Sequence, residues 1–342
     1  MELIQLGWNK TLEKSFKMYR TQGCEPARVF SEKKKTYSLY TADGEIDAAA
    51  RGIMWHKNTD KHDRPAVGDW VALETGKEEG NKIIRAILPR KGVFSRKSTG
   101  SRKRLKTAAA EEQVIAANVD VALIVIGMDR DFNLRRIERY LALVQGSGAS
   151  PVIILNKTDL CPDLGSRLKE VTAVVNDVPV IPMMARDNKQ AETVYQFIGP
   201  GTTIAMLGSS GVGKSTIINQ LLGYGRQEVK EISDRMGKGQ HTTSRRELII
   251  LPGGGLIMDN PGMREVQPWT DEDTLTASFP DIEALAMKCQ FTNCQHETEP
   301  HCAVKLAVET DALDRDRLEN YRRMRGETQN LTQQRKESSW KK

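Results

Sequence analysis

The stretch Gly208-Ser209-Ser210-Gly211-Val212-Gly213-Lys214-Ser215, followed by Thr216, constrains this chain more than any other. It fits the pattern G-x-x-x-x-G-K-[ST]. Closely spaced glycines there let the backbone wrap tightly enough for its N–H groups to cradle phosphate at a helix N-terminus. The apolar run Thr203-Ile204-Ala205-Met206-Leu207 ahead of it reads as a strand, and Thr216 to Leu222 behind it reads as a helix. Strand, glycine loop and helix in that order point to an α/β domain with a mostly parallel sheet and ligands at the carboxyl ends of its strands. In such a loop Lys214 reaches the β and γ oxygens of a nucleotide, and the Ser215 hydroxyl ligates Mg²⁺. A glycine-rich turn without chemistry is the bland alternative.

A second apolar run, Pro151 to Leu155, ends in Asn156-Lys157-Thr158-Asp159, an N-K-x-D motif. Its chemistry concerns the base. The Asp159 carboxylate can accept from guanine N1–H and from the exocyclic amine. Adenine offers neither donor, so it would leave the carboxylate unpaired. Lys157 is expected to lie along the base plane, and Asn156 to tie this loop to the phosphate loop. Alone, the motif is a polar turn capping a helix; beside a phosphate loop it becomes informative. Asp259-Asn260-Pro261-Gly262 then closes a hairpin-like pair, Glu247 to Leu251 and Gly255 to Met258. A D-x-x-G at this point supplies Asp259 to hold Mg²⁺ through water and the Gly262 N–H to sense a third phosphate. Between the two lies Gly237-Lys238-Gly239-Gln240-His241-Thr242-Thr243, where Thr243 (or Thr242) can close on Mg²⁺ when that phosphate is present. Met263 follows the D-x-x-G where Ras-like enzymes carry a glutamine. A thioether cannot orient water, so a low intrinsic rate is expected, with His241 as the candidate replacement.

The order of these motifs is unusual. N-K-x-D precedes the phosphate loop, whereas an ordinary GTPase has them the other way round. The same sheet can be built if the old termini are joined and new ones opened elsewhere, which is circular permutation.

The flanks add two more expectations. Across 342 residues, 39% hydrophobic and 28% charged, two or three domains are expected. No apolar run reaches the roughly 18 residues a membrane helix needs. Met1-Glu2-Leu3-Ile4 lacks a signal-peptide n-region, so a cytoplasmic chain with reduced thiols is expected. Short β-like runs from Arg28 to Phe94, among them Thr36 to Tyr40, Trp70 to Leu73 and Lys82 to Ile87, suggest an OB-fold barrel. No role is assigned to residues 1 to about 26. The net charge is +6, and Pro89 to Lys106 holds eight Lys/Arg and no acid, read as a basic, mobile linker. With the basic tail after Arg315 it favours a polyanionic partner, most simply RNA. Finally, Cys289-x4-Cys294-x-His296-x5-Cys302 places three thiolates and an imidazole in a polar setting, the donor set of a closed structural Zn²⁺ site. His301 is the weaker rival to His296. The expected units are 1–112 (barrel at about 28–95 plus the basic linker), 113–268 (permuted nucleotide domain) and 269–342 (zinc knuckle, helices and basic tail).

From about Arg28 to Arg325 the chain resembles the ribosome small-subunit-dependent GTPase A family, the circularly permuted YjeQ-like GTPases. The permuted motif order, the OB-like run before it and the Cys-x4-Cys-x-His-x5-Cys knuckle after it carry the resemblance. So do the runs Glu112 to Asp120 and Asp131-Phe132-Asn133-Leu134-Arg135-Arg136. The resemblance implies a GTP/GDP-binding assembly factor of the 30S subunit and its 16S rRNA, with slow hydrolysis that the subunit accelerates. A monomer is expected. Where the family usually reads Ser-Ala-Lys behind the guanine O6, this chain has Met184-Ala185-Arg186, in which Ala185 can still offer its N–H. Two other readings stay open: a non-catalytic, GTP-sensing rRNA-binding protein, and an ATP-using enzyme with the same phosphate loop, against which Asp159 speaks.

Overall fold

The computed structural model describes residues 1–33, 36–55, 63–75, 82–98, 111–130, 132–175, 177–187, 190, 192–223, 247–259, 275–276, 278–291 and 293–339. Its strands begin with a closed ring. β1 (Glu25–Glu32), β2 (Thr36–Thr41), β3 (Gly44–Ala50), β4 (Trp70–Thr75) and β5 (Lys82–Ile87) pair as β1–β2–β3–β5–β4, and β4 returns to β1. That is the strand order of an OB-like barrel. Alternate residues of each strand fill it: Ala27, Val29, Tyr37, Leu39, Ala48, Ala50, Val71, Leu73 and Ile84. β3, which carries Glu45 and Asp47 beside small alanines, is the strand the sequence pattern shows least.

The first 24 residues are not idle. A 3-10 turn, Leu3–Leu6, leads to α1 (Lys10–Arg20), whose N-cap Asn9 accepts from the Thr11 and Leu12 amides. Leu6 and Phe16 are fully buried, and Trp8 packs edge-on to Trp70 of the barrel at 4.8 Å. The basic stretch read as a linker is also corrected. It opens as β6 (Val93–Ser98), antiparallel to β7 (Glu111–Ala117), because Phe94, Val114 and Ile115 are apolar and buried. Lys103, Arg104 and their neighbours lie outside the described residues.

Beyond the barrel come β8 (Val121–Gly127), α2 (Leu134–Ser147), β9 (Ser150–Asn156), α3 (Leu164–Val175), β10 (Val180–Pro182), β11 (Thr203–Leu207), α4 (Lys214–Leu222), β12 (Glu247–Ile250) and β13 (Leu256–Asp259). They order as β10-β9-β8-β11-β13-β12, parallel except for β12. β8 is buried on both faces, as parallel strands are. Ala122, Ile124 and Ile126 meet Ile137, Leu141 and Val144 of α2 and Val171 of α3, whereas Leu123 and Val125 meet Ile217 and Leu221 of α4. The N-K-x-D strand β9 thus precedes the phosphate-loop strand β11 in the chain yet lies one strand away from it, so the permuted order builds an ordinary layered sheet. β12 pairs with β1 of the barrel at Glu247 and Ser31, and the Tyr40 hydroxyl donates to Leu248 O at 3.1 Å.

The C-terminal unit comprises α5 (Pro280–Ala286), α6 (Ala303–Glu309) and α7 (Arg315–Ser339). Its core of Phe279, Ile282, Val304, Leu318 and Tyr321 includes Ala142 of α2. Glu138 of α2, 4% exposed, accepts from Arg135, Arg317 and Asn320, a buried carboxylate clamped between the two units. No helix among the described residues is long and apolar enough to cross a membrane.

Arg28 joins three parts of the chain. Its wholly buried guanidinium donates to the carbonyls of Leu6, Gly68 and Asn118 and to Thr203 Oγ1 (2.7 Å) at the start of β11, beneath the Trp70 ring. Burial pushes its pKa down to about 10, opposed by the charges of Asp120 and Asp69, so it stays charged at neutral pH. Arg28→Met keeps the volume but strips these oxygens of their donor. It is expected to cost about 2–4 kcal/mol in urea unfolding, and a loss below about 0.5 kcal/mol would contradict the assignment.

Candidate functional site

The carboxyl ends of the parallel strands bring the separate motifs to one edge. β11 ends at Leu207 and enters the phosphate loop; β9 ends at Asn156; β8 ends at Gly127 beside it; the chain after β10 passes Met183 to Ala185. Two glycines are required in the loop. Gly208 has φ +142° and would place a Cβ 2.4 Å from Val125 O; Gly213 has φ +107° and would place one 2.1 Å from Asn156 Nδ2. Gly213 then caps α4, and Ile217 N donates to its carbonyl at 3.0 Å. Ser210, Gly211 and Ser215 are exposed along the open rim, Thr216 is half-buried and Val212 is buried beneath. Lys214 Nζ curls over the loop to the carbonyls of Gly208 (2.7 Å) and Ser209.

Asn156 holds three segments together. It is 3% exposed; its Nδ2 donates to Val212 O at 2.8 Å, and its Oδ1 accepts from Ala185 N at 2.8 Å. One amide therefore ties β9 to the phosphate loop and to the Met184-Ala185-Arg186 loop. Met184 N is held in turn by Gln190 Oε1 at 2.6 Å. Lys157 takes a left-handed conformation, φ +63°, at the head of the 3-10 turn Thr158–Leu160. Its ammonium pairs with Asp129, just beyond β8, at 2.5 Å. Thr158 N donates to Met183 O at 3.4 Å, and Asp159 is exposed at the mouth. Asp129 lies in none of the nucleotide motifs. Arg136 of α2 ends the run Asp131 to Arg136 noted in the sequence, where no role could be assigned to it, and its Nη1 donates to Ser209 Oγ at 3.3 Å. Asp259 ends β13, beside β11. His241, Thr242, Thr243, Gly262 and Met263 lie outside the described residues.

Some distance along the chain, Cys289, Cys294, His296 and Cys302 bring their donor atoms within 4.8 Å of one another. Cys289 Sγ to Cys302 Sγ is 3.8 Å, and His296 Nδ1 is 3.4 and 3.7 Å from Cys302 and Cys289. These three distances match one face of a tetrahedron with metal–sulfur bonds of about 2.3 Å and metal–nitrogen bonds of about 2.0 Å. Cys294, within 4.8 Å, is the fourth donor, so the set suits a four-coordinate ion. His296 is 2% exposed and adopts φ +63°, which turns its ring inward; His301 is exposed and stands outside the group. Glu299 shapes the knuckle: its carboxylate accepts from the amides of Gln295 (2.7 Å), Glu297 (2.9 Å) and Thr298 (3.1 Å). Those backbone bonds, Gln295 first, push its pKa down to about 2.

Asn156→Ala leaves Val212 O and Ala185 N without partners. A loss of about 2–4 kcal/mol in urea unfolding, with faster hydrogen exchange at the Ala185 amide, is expected. Unchanged stability and exchange would show that the amide bridges nothing of consequence.

Comparison with known proteins agrees with this geometry. The model of the RsgA GTPase family matches residues 87–269. The small ribosomal subunit biogenesis GTPase RsgA of Syntrophotalea carbinolica is 42% identical over 335 residues, covering 98% of this chain and 92% of its own. The crystal structure of YjeQ from Thermotoga maritima is 25% identical with a TM-score of 0.62, over 89% of this chain and 98% of that one. That of YloQ, described as a circularly permuted GTPase, shares the fold at 22% identity and a TM-score of 0.60, over 90% of this chain and 96% of that one. With a family model over more than half of its length and a relative 42% identical over 98% of it, the chain belongs to the RsgA GTPase family.

Proposed function

We propose that this chain hydrolyses GTP while bound to the small ribosomal subunit during its biogenesis, with 16S rRNA as the surface it recognises. The observation that carries the reading is the Asn156 amide, which fixes the N-K-x-D loop against the phosphate loop in a member of a GTPase family. The loop amides from Gly208 to Thr216 cradle the phosphates, and Lys214 leaves its two carbonyls for their oxygens. Asp159 accepts from guanine N1–H and the exocyclic amine, Lys157 lies along the base and Thr158 shapes the turn. The Ala185 N–H expected to back the guanine O6 is engaged by Asn156 Oδ1 instead, so Ala185 holds its loop in place beside the base. Mg²⁺, held by Ser215, Asp259 and Thr243 (or Thr242), would neutralise charge on the phosphates. Water attacks the terminal phosphorus, the bond to the bridging oxygen breaks, GDP departs and the water's protons end on inorganic phosphate and solvent. Gly262 N–H senses the third phosphate and His241 positions the water once the subunit has pressed that segment inward.

Cys289, Cys294, His296 and Cys302 would hold one structural zinc ion, which their donor set and spacing suit. The units 1–112, 113–268 and 269–342 act as barrel, nucleotide domain and zinc unit of a monomer. The basic residues after Pro89 meet rRNA phosphates, which favours a salt-sensitive complex.

The test is GTP turnover with purified 30S or 50S subunits, Lys214→Ala serving as the blank. At least about tenfold stimulation by 30S, absent with 50S and abolished in the variant, is expected. A rate that 30S leaves unchanged would retain the nucleotide site and remove the partner.

A further inference from the structure

Two cations converge on one residue of the phosphate loop. Lys214 Nζ donates to the Ser209 carbonyl, and Arg136 Nη1 donates to the Ser209 hydroxyl at 3.3 Å. Arg136 lies in the first turn of α2, whose start is fixed by Asn133: the Asn133 side chain accepts from Arg136 N at 3.2 Å. The neighbouring Arg135 is engaged elsewhere, with Glu138 at 3.2 Å and with Asp314 at 2.7 Å. Successive positions on a helix point about a quarter-turn and more apart. The helix therefore sends one arginine to the zinc-binding unit and the next to the loop. The placement is firm on both sides, because Glu138 is clamped by Arg317 and Asn320 while Ala142 joins the core of the C-terminal unit.

Both cations reach the first residue after Gly208, at the edge of the phosphate cradle, and a polyanion bound in that cradle attracts both. Lys214 is the cation that the loop pattern itself demands. Arg136 belongs to no nucleotide motif, comes from a different element and still reaches the same residue. A guanidinium also suits phosphate oxygens better than a single ammonium does, since its fork offers two parallel N–H bonds.

We propose that Arg136 contacts the terminal phosphate, turning from the Ser209 hydroxyl to the γ oxygens when GTP occupies the loop. There it offsets the charge that spreads over those oxygens during transfer, an arginine supplied by the chain itself. The proposal rests on the reading of this loop as a GTP site, and it adds a γ-specific residue that none of the motifs contains. GDP has no oxygens at that position, so Arg136 discriminates between the two nucleotide states.

The experiment compares the wild type, Arg136→Ala and Arg136→Lys in full-length protein. Three quantities are read: affinity for GDP, affinity for a non-hydrolysable GTP analogue, and 30S-stimulated kcat with and without added guanidinium ion. For Arg136→Ala the expectation is GDP affinity within about twofold of wild type, analogue affinity lower by about tenfold, and kcat lower by about 10² or more. Guanidinium ion should restore part of that kcat in the alanine variant and nothing in the wild type. Arg136→Lys keeps the charge and guards against misfolding; it should retain GDP binding and recover only part of the rate, because it lacks the fork. Equal losses for GDP and the analogue would overturn the proposal, since Arg136 would then merely shape the loop. So would a kcat within about twofold of wild type in both variants. A wild type that binds neither nucleotide would overturn the GTP reading itself, and this inference with it, before any variant is compared.

Discussion

One carboxamide decides whether this sheet edge is a site or three unrelated loops. Asn156 spends its donor on Val212 O and its acceptor on Ala185 N, both at 2.8 Å, so only one orientation of its side chain satisfies both neighbours. Because Asn156 is buried, water cannot replace either bond cheaply. Gly213 is bare for the same reason: its Cβ would occupy the space the amide nitrogen needs. Circular permutation has changed the order in which these segments are synthesised and left this junction intact, since contacts between strand ends do not depend on which loops are covalently joined.

The nucleotide motifs were legible in sequence because their chemistry demands fixed residue types at fixed spacing. Gly208, Gly213 and Lys214 answer to backbone and phosphate geometry, and Cys289, Cys294, His296 and Cys302 to a coordination shell. The barrel was legible in outline through its alternating apolar strands. β3 was not, since Gly44-Glu45-Ile46-Asp47-Ala48 offers little hydrophobic contrast. Nor were the contacts that cross between elements. Arg28 reads as one cation at the head of a strand, yet it is wholly buried among oxygens from Leu6, Gly68, Asn118 and Thr203. Residues 1 to about 26 carry no legible role in sequence, yet Phe16 is fully buried and Trp8 packs on Trp70 of a barrel that exists only after folding. Asp129 and Arg136 are of this kind too: tertiary structure alone brings them to Lys157 and Ser209.

The three parts of the chain are joined by specific chemistry at each seam. Strand β12 lends an edge of the nucleotide sheet to β1 of the barrel, and Arg28 stitches the same seam from the other side. Helix α2 meets the C-terminal unit through Glu138, whose carboxylate is surrounded by Arg135, Arg317 and Asn320. Arg317 also pairs with Asp281 at 2.7 Å, so the clamp reaches α5 and the metal knuckle beyond it. The helix that carries Arg136 to the phosphate loop is therefore the same fourteen-residue helix that carries Glu138 into the clamp with the C-terminal unit.

The central claim is that Asp159, at the mouth of this site, reads guanine. The most direct test is nucleotide competition in wild type and in Asp159→Asn, with GTP, ATP and xanthosine triphosphate as competitors. Xanthine presents a carbonyl where guanine presents its amine, so an amide side chain suits it and a carboxylate does not. The wild type should prefer GTP over both others by about 10³ or more, and Asp159→Asn should lose GTP and gain xanthosine triphosphate. A variant that still prefers GTP, or a wild type that binds ATP as well as GTP, would contradict the assignment of the base to this loop.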